Sequence, residues 1–300
     1  MKFVTFHAGN TKRLGVVDND AVVDVNAANP ECPASLMIAL EQGSDIRAVA
    51  AAILDSSAAR VPLRKLSLAP AIPHPRKIIC LGLNYFDHAK EGGRHKPEYP
   101  WLFFRGASSL IAHEQAAALP RVSGQLDYEA ELAVVIGSPV PRHVARADSL
   151  KHVFGYSCFN DLSVRDYQKK TPQWTIGKNF DGTGAFGPHV VTSDELPPGA
   201  AGLRIQGRLN GVAMQDASTE DMIFGVPETI ALLSDCMTLE PGDVIVMGTP
   251  AGIGAARKPP VWLKDGDVFE VEIERIGVLT NTVRKEDDLD MSRGSLKAST

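Results

Sequence analysis

Two glutamates separated by a single residue are the first feature of the chain that could do chemistry. Glu129 and Glu131 lie in residues 126–137, where the run Leu-Ala-Val-Val-Ile ends at a glycine and is typical of a buried strand. Alternate residues of a strand point to the same face, so the two carboxylates share one face beside apolar side chains. Like charges at that separation repel, and burying them is costly unless a divalent cation with oxygen ligands compensates. A solvent-exposed face needs no compensation and is the more frequent situation for an isolated pair.

Asp161 is a candidate third carboxylate. It follows residues 154–160, which predict a strand, and it precedes residues 162–170, which predict a helix. Aspartate at such a junction is well suited to cap the helix. Together with the two glutamates it would instead complete a facial set of three carboxylates on Mg²⁺ or Mn²⁺, with open positions for substrate and water.

A histidine and a glutamate three residues apart are candidates for acid–base chemistry. On one helical turn, His88 and Glu91 face each other, and the carboxylate would orient the imidazole and raise its basicity. Such a pair can activate water near neutral pH, although a surface helix of mixed charge has the same pattern. Residues 84–100 are polar and contain Gly92 and Gly93, so we expect a mobile lid that carries the base.

Lys178 is the third candidate group. It lies among glycine and aromatic residues in 174–181, where a partly buried ammonium could stabilise an oxyanion, although a surface loop is the simpler interpretation. Residues 182–187 match Gly-x-Gly-x-x-Gly. Residues 188–191, Pro-His-Val-Val, predict a strand rather than the helix that a dinucleotide site needs, so we reject that function.

The elements that must position these groups fall into two parts. Residues 2–25 alternate short apolar strands with turns, and residues 34–55 have a helical period that is interrupted at a Gly-Ser pair. Three prolines within residues 70–75 predict a stiff linker. We therefore expect a small domain over residues 1–70 and a larger, strand-rich catalytic domain over residues 71–300.

Composition excludes several classes of function. The 300 residues include 31 Lys and Arg against 36 Asp and Glu, a formal charge of −5 without basic runs, which argues against nucleic-acid binding. No apolar run approaches the ~20 residues that span a bilayer, and the N-terminus is too polar for a signal peptide, so we expect no membrane association. The four cysteines are far apart, which argues against thiolate zinc and favours reduced thiols in the cytoplasm.

Five segments, taken in order, make the chain resemble the fumarylacetoacetate hydrolase family. Those segments are residues 82–91, 127–132, 160–168, 176–181 and 242–254. The resemblance implies an α+β, predominantly β fold. Its catalytic domain would be a mixed β-sandwich or β-roll, preceded by a small, variable N-terminal α+β domain, and the protein would be a homodimer.

The resemblance also assigns roles to individual residues. It implies Mg²⁺ or Mn²⁺, with Ca²⁺ as a substitute, on the carboxylates of Glu129, Glu131 and Asp161. It matches His88 and Glu91 to a dyad that activates water, and Lys178 to the group that stabilises the oxyanion. The positions expected around the substrate are Arg165, Gln168 and Thr249.

Arg105 marks a departure from the family pattern. Many relatives have lysine where this chain has Arg105 in Phe-Phe-Arg-Gly. A planar guanidinium replaces a point charge there, so we expect Arg105 to contact the distal group of the substrate and to alter specificity.

The activity implied by the resemblance is cleavage of a carbon–carbon bond in a 2,4-dioxo acid of the acylpyruvate or fumarylpyruvate type. A water activated by the dyad would attack the 4-oxo carbon and release pyruvate and a carboxylic acid. The alternative is decarboxylation or isomerisation of an oxaloacetate-like or 2-hydroxyhepta-2,4-dienedioate-like diacid in aromatic or sugar-acid catabolism. A third possibility is a metal-binding relative without catalysis, because fold and metal alone do not select the reaction.

Overall fold

A computed structural model describes residues 1–91, 93 and 95–289 of the chain. Most of its regular structure is strand. The strands, in chain order, are β1 (Lys2–Ala8), β2 (Thr11–Asp18), β3 (Ala21–Asp24), β4 (Arg60–Pro62), β5 (Ile78–Gly82), β6 (Trp101–Arg105), β7 (Leu110–Ile111), β8 (Ala117–Leu119), β9 (Leu126–Asp127), β10 (Ala130–Ile136), β11 (Val153–Asp161), β12 (Ser163–Val164), β13 (Gly184–Thr192), β14 (Arg204–Leu209), β15 (Val212–Ser218), β16 (Val244–Val246), β17 (Val268–Ile273) and β18 (Gly277–Lys285). The α-helices are α1 (Val25–Ala28), α2 (Leu36–Glu41), α3 (Ile46–Leu54), α4 (Phe86–Glu91), α5 (Arg146–Ser149), α6 (Arg165–Gln168), α7 (Thr175–Lys178) and α8 (Val226–Ser234).

One large mixed sheet forms the frame of the molecule. Its strand order is β4-β3-β2-β1-β13-β11-β10-β16-β5-β6, with β7 beside β13. The pairs β16–β5 and β13–β7 are parallel, and the other pairs in this sheet are antiparallel. A second sheet has the order β15-β14-β17-β18-β8 and packs against the first. The predominantly β, mixed-sheet architecture predicted from the sequence is confirmed.

Strand β10 is buried on both of its faces. Leu132 and Val134 point into the core between the two sheets, whereas Ala133 and Val135 point into a core on the opposite face. This double burial explains why the strand reads as a continuous apolar run rather than as an alternating one. Glu131 lies two residues before Ala133 on the same strand, so its carboxylate points to the same face, towards the second core.

The N-terminal segment extends the large sheet. Strand β1 pairs with β13 in the register Lys2↔Val191, and α2 and α3 cover a core that also contains residues of β5, β10 and β16. The predicted interruption of the helical region lies between α2 and α3, at Gly43. Residues 1–70 therefore share the large sheet and a core with the rest of the chain, and the domain boundary at 70/71 stays a prediction.

Two further local expectations have clear outcomes. The helix predicted over 162–170 is shorter, Arg165–Gln168, because Ser163–Val164 pair with β9 as strand β12. Residues 184–192 form strand β13, which agrees with the rejection of a dinucleotide site there. No helix among the described residues is long and apolar enough to cross a membrane.

Candidate active site

The three predicted carboxylates lie together on one face of β10 and β11. Ala130 pairs with Asn160 in the antiparallel register, and the Asp161 N–H donates to the Glu129 carbonyl at 3.0 Å. Glu129 therefore lies opposite Asp161, and Glu131 follows on the same face. Ligand oxygens of the three residues lie within 4.8 Å of one another, and all three side chains are buried. The solvent-exposed interpretation of the glutamates is wrong.

Asp161 ends strand β11 and caps no helix, because the next helix, α6, begins four residues later. Its carboxylate accepts hydrogen bonds from Arg105 Nε at 2.5 Å and from Lys178 Nζ at 2.5 Å. The capping interpretation is therefore wrong, and the carboxylate belongs to the charged cluster.

Buried cations surround these carboxylates. Lys178 Nζ lies 2.6 Å from Glu129 Oε2, and Arg165 Nη2 lies 2.7 Å from Glu129 Oε1. Arg165 Nε also donates to Asp127 Oδ2 at 2.8 Å. Four buried carboxylates thus face three buried cations, which gives the cluster a formal charge of −1 when every carboxylate is ionised. Its members are Asp127, Glu129, Glu131, Asp161, Arg105, Arg165 and Lys178.

Glu129 and Glu131 differ in their electrostatics. Burial by itself would raise the pKa of Glu129, but Lys178 and Arg165 hold that pKa well below its usual range. Burial, together with the charges of Asp161 and Glu129, raises the pKa of Glu131. Glu131 Oε2 accepts a hydrogen bond from the Gly248 N–H at 2.6 Å, a contact with a neutral donor. Glu131, the carboxylate without an ion pair of its own, is therefore the one whose charged form burial and repulsion disfavour.

The donor set fits a hard divalent cation. Glu129, Glu131 and Asp161 supply oxygen ligands from one side, as Mg²⁺ and Mn²⁺ prefer, and a cation there would offset the burial and the repulsion that together raise the pKa of Glu131. The described residues offer no second group of three His, Cys, Asp or Glu side chains with this geometry.

The predicted dyad is assembled on helix α4. His88 is buried, its Nδ1 lies 2.9 Å from Glu91 Oε1, and both Glu91 oxygens accept from the Gly252 N–H at 3.2 and 3.0 Å. An ionised carboxylate only accepts hydrogen bonds, so in the neutral imidazole Nδ1 carries the proton and Nε2 keeps a lone pair. The surface-helix interpretation of His88 is wrong. Of the two predicted hinge residues, Gly92 lies outside the described residues, and opening of the lid stays a prediction.

Lys178 is buried and charged. Burial would lower its pKa, but Asp161 and Glu129 raise it, so the ammonium keeps its proton. Two of its three N–H groups are donated to those carboxylates, which leaves one for a ligand. The Phe103 ring lies 5.0 Å from Nζ and helps to exclude water from it. A surface loop position for this lysine is wrong.

These groups surround one cavity of about 330 Å³, which is at the lower end of the range for small-molecule sites. His88, Glu91, Glu129, Glu131 and Lys178 contribute to its wall. Its apolar side is formed by Leu83, Phe103, Trp174 and Ile253.

The three positions expected around the substrate also line this cavity. Gln168 Oε1 accepts from Arg165 Nη1 at 3.1 Å, so the amide N–H₂ of Gln168 is available to a ligand. The Thr249 hydroxyl donates to the Ala130 carbonyl and accepts from Gln215 Nε2, so it shapes the wall and its hydrogen-bonding capacity is used.

Arg105 does not line the cavity, in contrast to the prediction that it contacts the substrate. Strand β6 points it inward, behind Asp161, and its side chain is fully buried. Its guanidinium donates to the Asp161 carboxylate, to the carbonyls of Leu162 (2.6 Å) and Thr183 (3.0 Å), and to Ser109 Oγ (3.1 Å). Thr183 Oγ1, at 3.4 Å from Nη1, accepts the fifth N–H, so the guanidinium orients Asp161 and has no free donor to reach a substrate.

Sequence reasoning assigned no role to Asp127, Trp174 or Lys169. Asp127 accepts from Arg165 and from the N–H groups of Gly254 and Ala255, so it ties that arginine to the loop after β16. Asp127 lies inside a segment that the resemblance covers, which is the signal that could have singled it out, whereas Trp174 lies two residues before the 176–181 segment. Lys169 lies just outside the 160–168 segment, and only the fold shows that it lines the cavity.

Comparison with known proteins agrees with this geometry. Residues 77–284 match the family described as fumarylacetoacetate (FAA) hydrolase, C-terminal. The chain is 38% identical over 290 residues to a mitochondrial oxaloacetate tautomerase, fahd2, of Xenopus laevis, covering 94% of this chain and 90% of that protein.

Two solved structures have a similar fold. One is a maleylpyruvate hydrolase from Sphingobium sp. SYK-6 in complex with manganese(II) and pyruvate (32% identity, TM-score 0.79, covering 95% of this chain and 99% of that one). The other is a 2-hydroxyhepta-2,4-diene-1,7-dioate isomerase from Mycobacterium marinum (28% identity, TM-score 0.74, covering 95% and 99%). Proteins similar to this chain thus include a tautomerase, a hydrolase and an isomerase.

Proposed function

Because the chain belongs to the fumarylacetoacetate hydrolase family, we propose that it is a divalent-metal-dependent tautomerase of 2-oxo diacids, with oxaloacetate as the substrate to test first. The observation that carries the proposal is His88. Its Nδ1 is held by Glu91, and its Nε2 has no hydrogen-bond partner among the described residues of a cavity whose wall includes Glu129 and Glu131, two of the three clustered carboxylates. This arrangement supplies a base that can move a proton on a bound oxo acid.

In the proposed site, Glu129, Glu131 and Asp161 hold Mg²⁺ or Mn²⁺, with Ca²⁺ as a substitute. When bound, the ion supplies a Lewis acid that polarises the 2-oxo group of the substrate. Arg165 and Lys178 hold Glu129 ionised, and Arg105 and Lys178 orient Asp161.

His88 Nε2 takes a proton from the carbon next to the oxo group. The electrons of that C–H bond form the carbon–carbon double bond of the enol, and the oxo oxygen gains the negative charge. Glu91 stabilises the resulting imidazolium, and the free N–H of Lys178 donates to the developing oxyanion. The proton then moves from His88 to that oxygen, so one C–H bond is exchanged for one O–H bond.

The runner-up is hydrolysis of a 2,4-dioxo acid, which was the first expectation from the sequence. The same Nε2 lone pair could instead take a proton from water, and the similar Sphingobium structure is named as a maleylpyruvate hydrolase. We rank this reaction second because the more similar relative, which matches along 94% of this chain, is named as a tautomerase. Decarboxylation needs no base, so His88 gives it no support.

One assay series with Mn²⁺-loaded protein separates these reactions. We expect the protein to accelerate the decrease in the enol absorbance of oxaloacetate. Release of pyruvate from oxaloacetate or from acetylpyruvate should be slower or absent. His88→Ala should reduce tautomerisation by about 10²–10⁴-fold, as is usual for loss of a general base. The matched control is His143→Ala, because His143 also pairs with an acid, Asp235 Oδ1 at 3.1 Å, but is exposed and away from the cavity.

Two outcomes would contradict the proposal. Rapid release of pyruvate from acetylpyruvate without acceleration of oxaloacetate ketonisation would assign the protein as a hydrolase. Release of carbon dioxide from oxaloacetate that His88→Ala leaves unchanged would assign it as a decarboxylase.

We also propose that the active species is a homodimer and that it functions in the cytoplasm. The homodimer is proposed from the family resemblance, and the cytoplasmic location is proposed from the composition. Relatives named as mitochondrial make fractionation of the native host the direct check of the second.

A further inference from the structure

Lys169 contributes to the wall of the active-site cavity and has no role in the cluster described above. It directly follows helix α6, and its N–H donates to the Arg165 carbonyl at 3.2 Å. This contact fixes its backbone beside Arg165 and Gln168, which both line the same cavity. The side chain is exposed, so its ammonium lies at the solvent side of the cavity.

The charge of Lys169 differs from that of the other cations in the cavity wall. Arg165 is paired with Asp127 and Glu129, and Lys178 is paired with Glu129 and Asp161. Lys169 has no acidic partner within the part of the chain that the structure describes. An anion at the solvent side of the cavity would therefore find an unpaired positive charge there and nowhere else in the described wall.

The cavity wall also has an apolar side, to which Trp174 contributes. Trp174 packs so closely on Gly82 that a Cβ at that glycine would lie 2.2 Å from the ring, so the indole is held as a flat wall. A ligand that fits such a surface has a polar end at the carboxylate cluster, a short carbon backbone beside the indole, and a second anionic end at the solvent side.

We propose that Lys169 binds the distal carboxylate of the substrate and makes the protein selective for 2-oxo dicarboxylates over 2-oxo monocarboxylates. The inference rests on the proposed function and adds the residue that recognises the second carboxylate of the diacid. Arg105, which the sequence indicated for this task, is enclosed behind Asp161, and Lys169 is the cation that the fold places at the cavity instead.

The adjacent lysine provides a matched control. Lys170 Nζ lies 3.3 Å from the centre of the Tyr167 ring, a cation–π contact, and Lys170 does not line the cavity. Lys169→Gln and Lys170→Gln therefore remove the same charge from consecutive positions, and only the first removes it from the cavity. Lys169→Arg retains the charge and should restore selectivity.

The test measures binding as well as turnover. Calorimetry on Mn²⁺-loaded protein would compare 2-oxoglutarate with 2-oxopentanoate, which have the same carbon chain and differ in the distal carboxylate. We expect Lys169→Gln to weaken 2-oxoglutarate about tenfold, equivalent to about 1.4 kcal/mol, and to leave 2-oxopentanoate unchanged. In turnover, the same variant should raise the KM for oxaloacetate more than it lowers kcat, and Lys170→Gln should behave as wild type.

Equal weakening of both ligands, or the same loss in Lys170→Gln, would overturn the role of Lys169. A different result would contradict the proposed function without contradicting the role of Lys169. If the wild type does not tautomerise oxaloacetate but still prefers 2-oxoglutarate through Lys169, then the reaction is wrong while the recognition of a distal carboxylate stands.

Discussion

Replacement of Arg105 by lysine should cost stability and metal affinity, and it should leave substrate affinity nearly unchanged. Lysine keeps the positive charge and can still approach Asp161. It cannot also donate to the carbonyls of Leu162 and Thr183, because its single nitrogen replaces a planar fork. The substitution therefore separates the role that the structure supports, orienting Asp161, from contact with the substrate.

The size of the effect follows from the contacts that are lost. A buried polar group left without its partner costs about 1–3 kcal/mol, and two carbonyls are affected. Because small movements recover part of this cost, we expect a loss of about 3 kcal/mol in the free energy of unfolding. For a protein of this size that corresponds to a decrease in Tm of about 5 °C. Loss of the group that orients a metal ligand typically weakens metal binding by about 10–100-fold.

Thermal unfolding of the metal-free protein and calorimetric titration with Mn²⁺ would measure the two effects. KM at saturating Mn²⁺ would test for contact with the substrate. Arg121→Lys is the control, because Arg121 is 71% exposed and pairs with Glu286 at the surface. Unchanged Tm and metal affinity, combined with a large increase in KM, would refute the reasoning. Arg105 would then be a residue that contacts the substrate, as the sequence predicted.

Three further predictions use other parts of the structure. Glu131→Gln should leave the Tm of the metal-free protein nearly unchanged, because the pKa of Glu131 is raised and glutamine resembles its protonated form; a Tm increase with Mn²⁺ as large as in wild type would exclude Glu131 as a ligand. Burial lowers the pKa of His189 to about 4 from an ordinary 6.5, and its Nδ1 has no partner, so the unfolded chain binds a proton that the native protein does not. Stability should therefore fall by about 3 kcal/mol as the pH falls from 6.5 to 4, and denaturant titrations of His189→Gln should lack that component. Sedimentation should give the mass of a homodimer; a monomer at micromolar concentration would contradict the oligomeric state implied by the resemblance.

Local geometry made part of the site predictable. A strand places alternate side chains on one face, which is why Glu129 and Glu131 could be paired from their spacing, and one helical turn brings His88 to Glu91. The order of the short motifs along the chain predicted the family and the predominantly β fold. These inferences depend on a few neighbouring residues, so they hold wherever the segment is placed.

The rest depended on contacts between distant segments. The register of β10 against β11 decides that Asp161 lies opposite Glu129, although local sequence favours a helix cap. The burial of Arg105 depends on which face of β6 points inward, and Lys178 reaches Glu129 across 49 positions of sequence. Lys169 and Lys170 are adjacent residues of the same type, and the packing of α6 places only Lys169 in the cavity wall. Strand register and the packing of loops are set by the whole core, so residue spacing alone could not decide them.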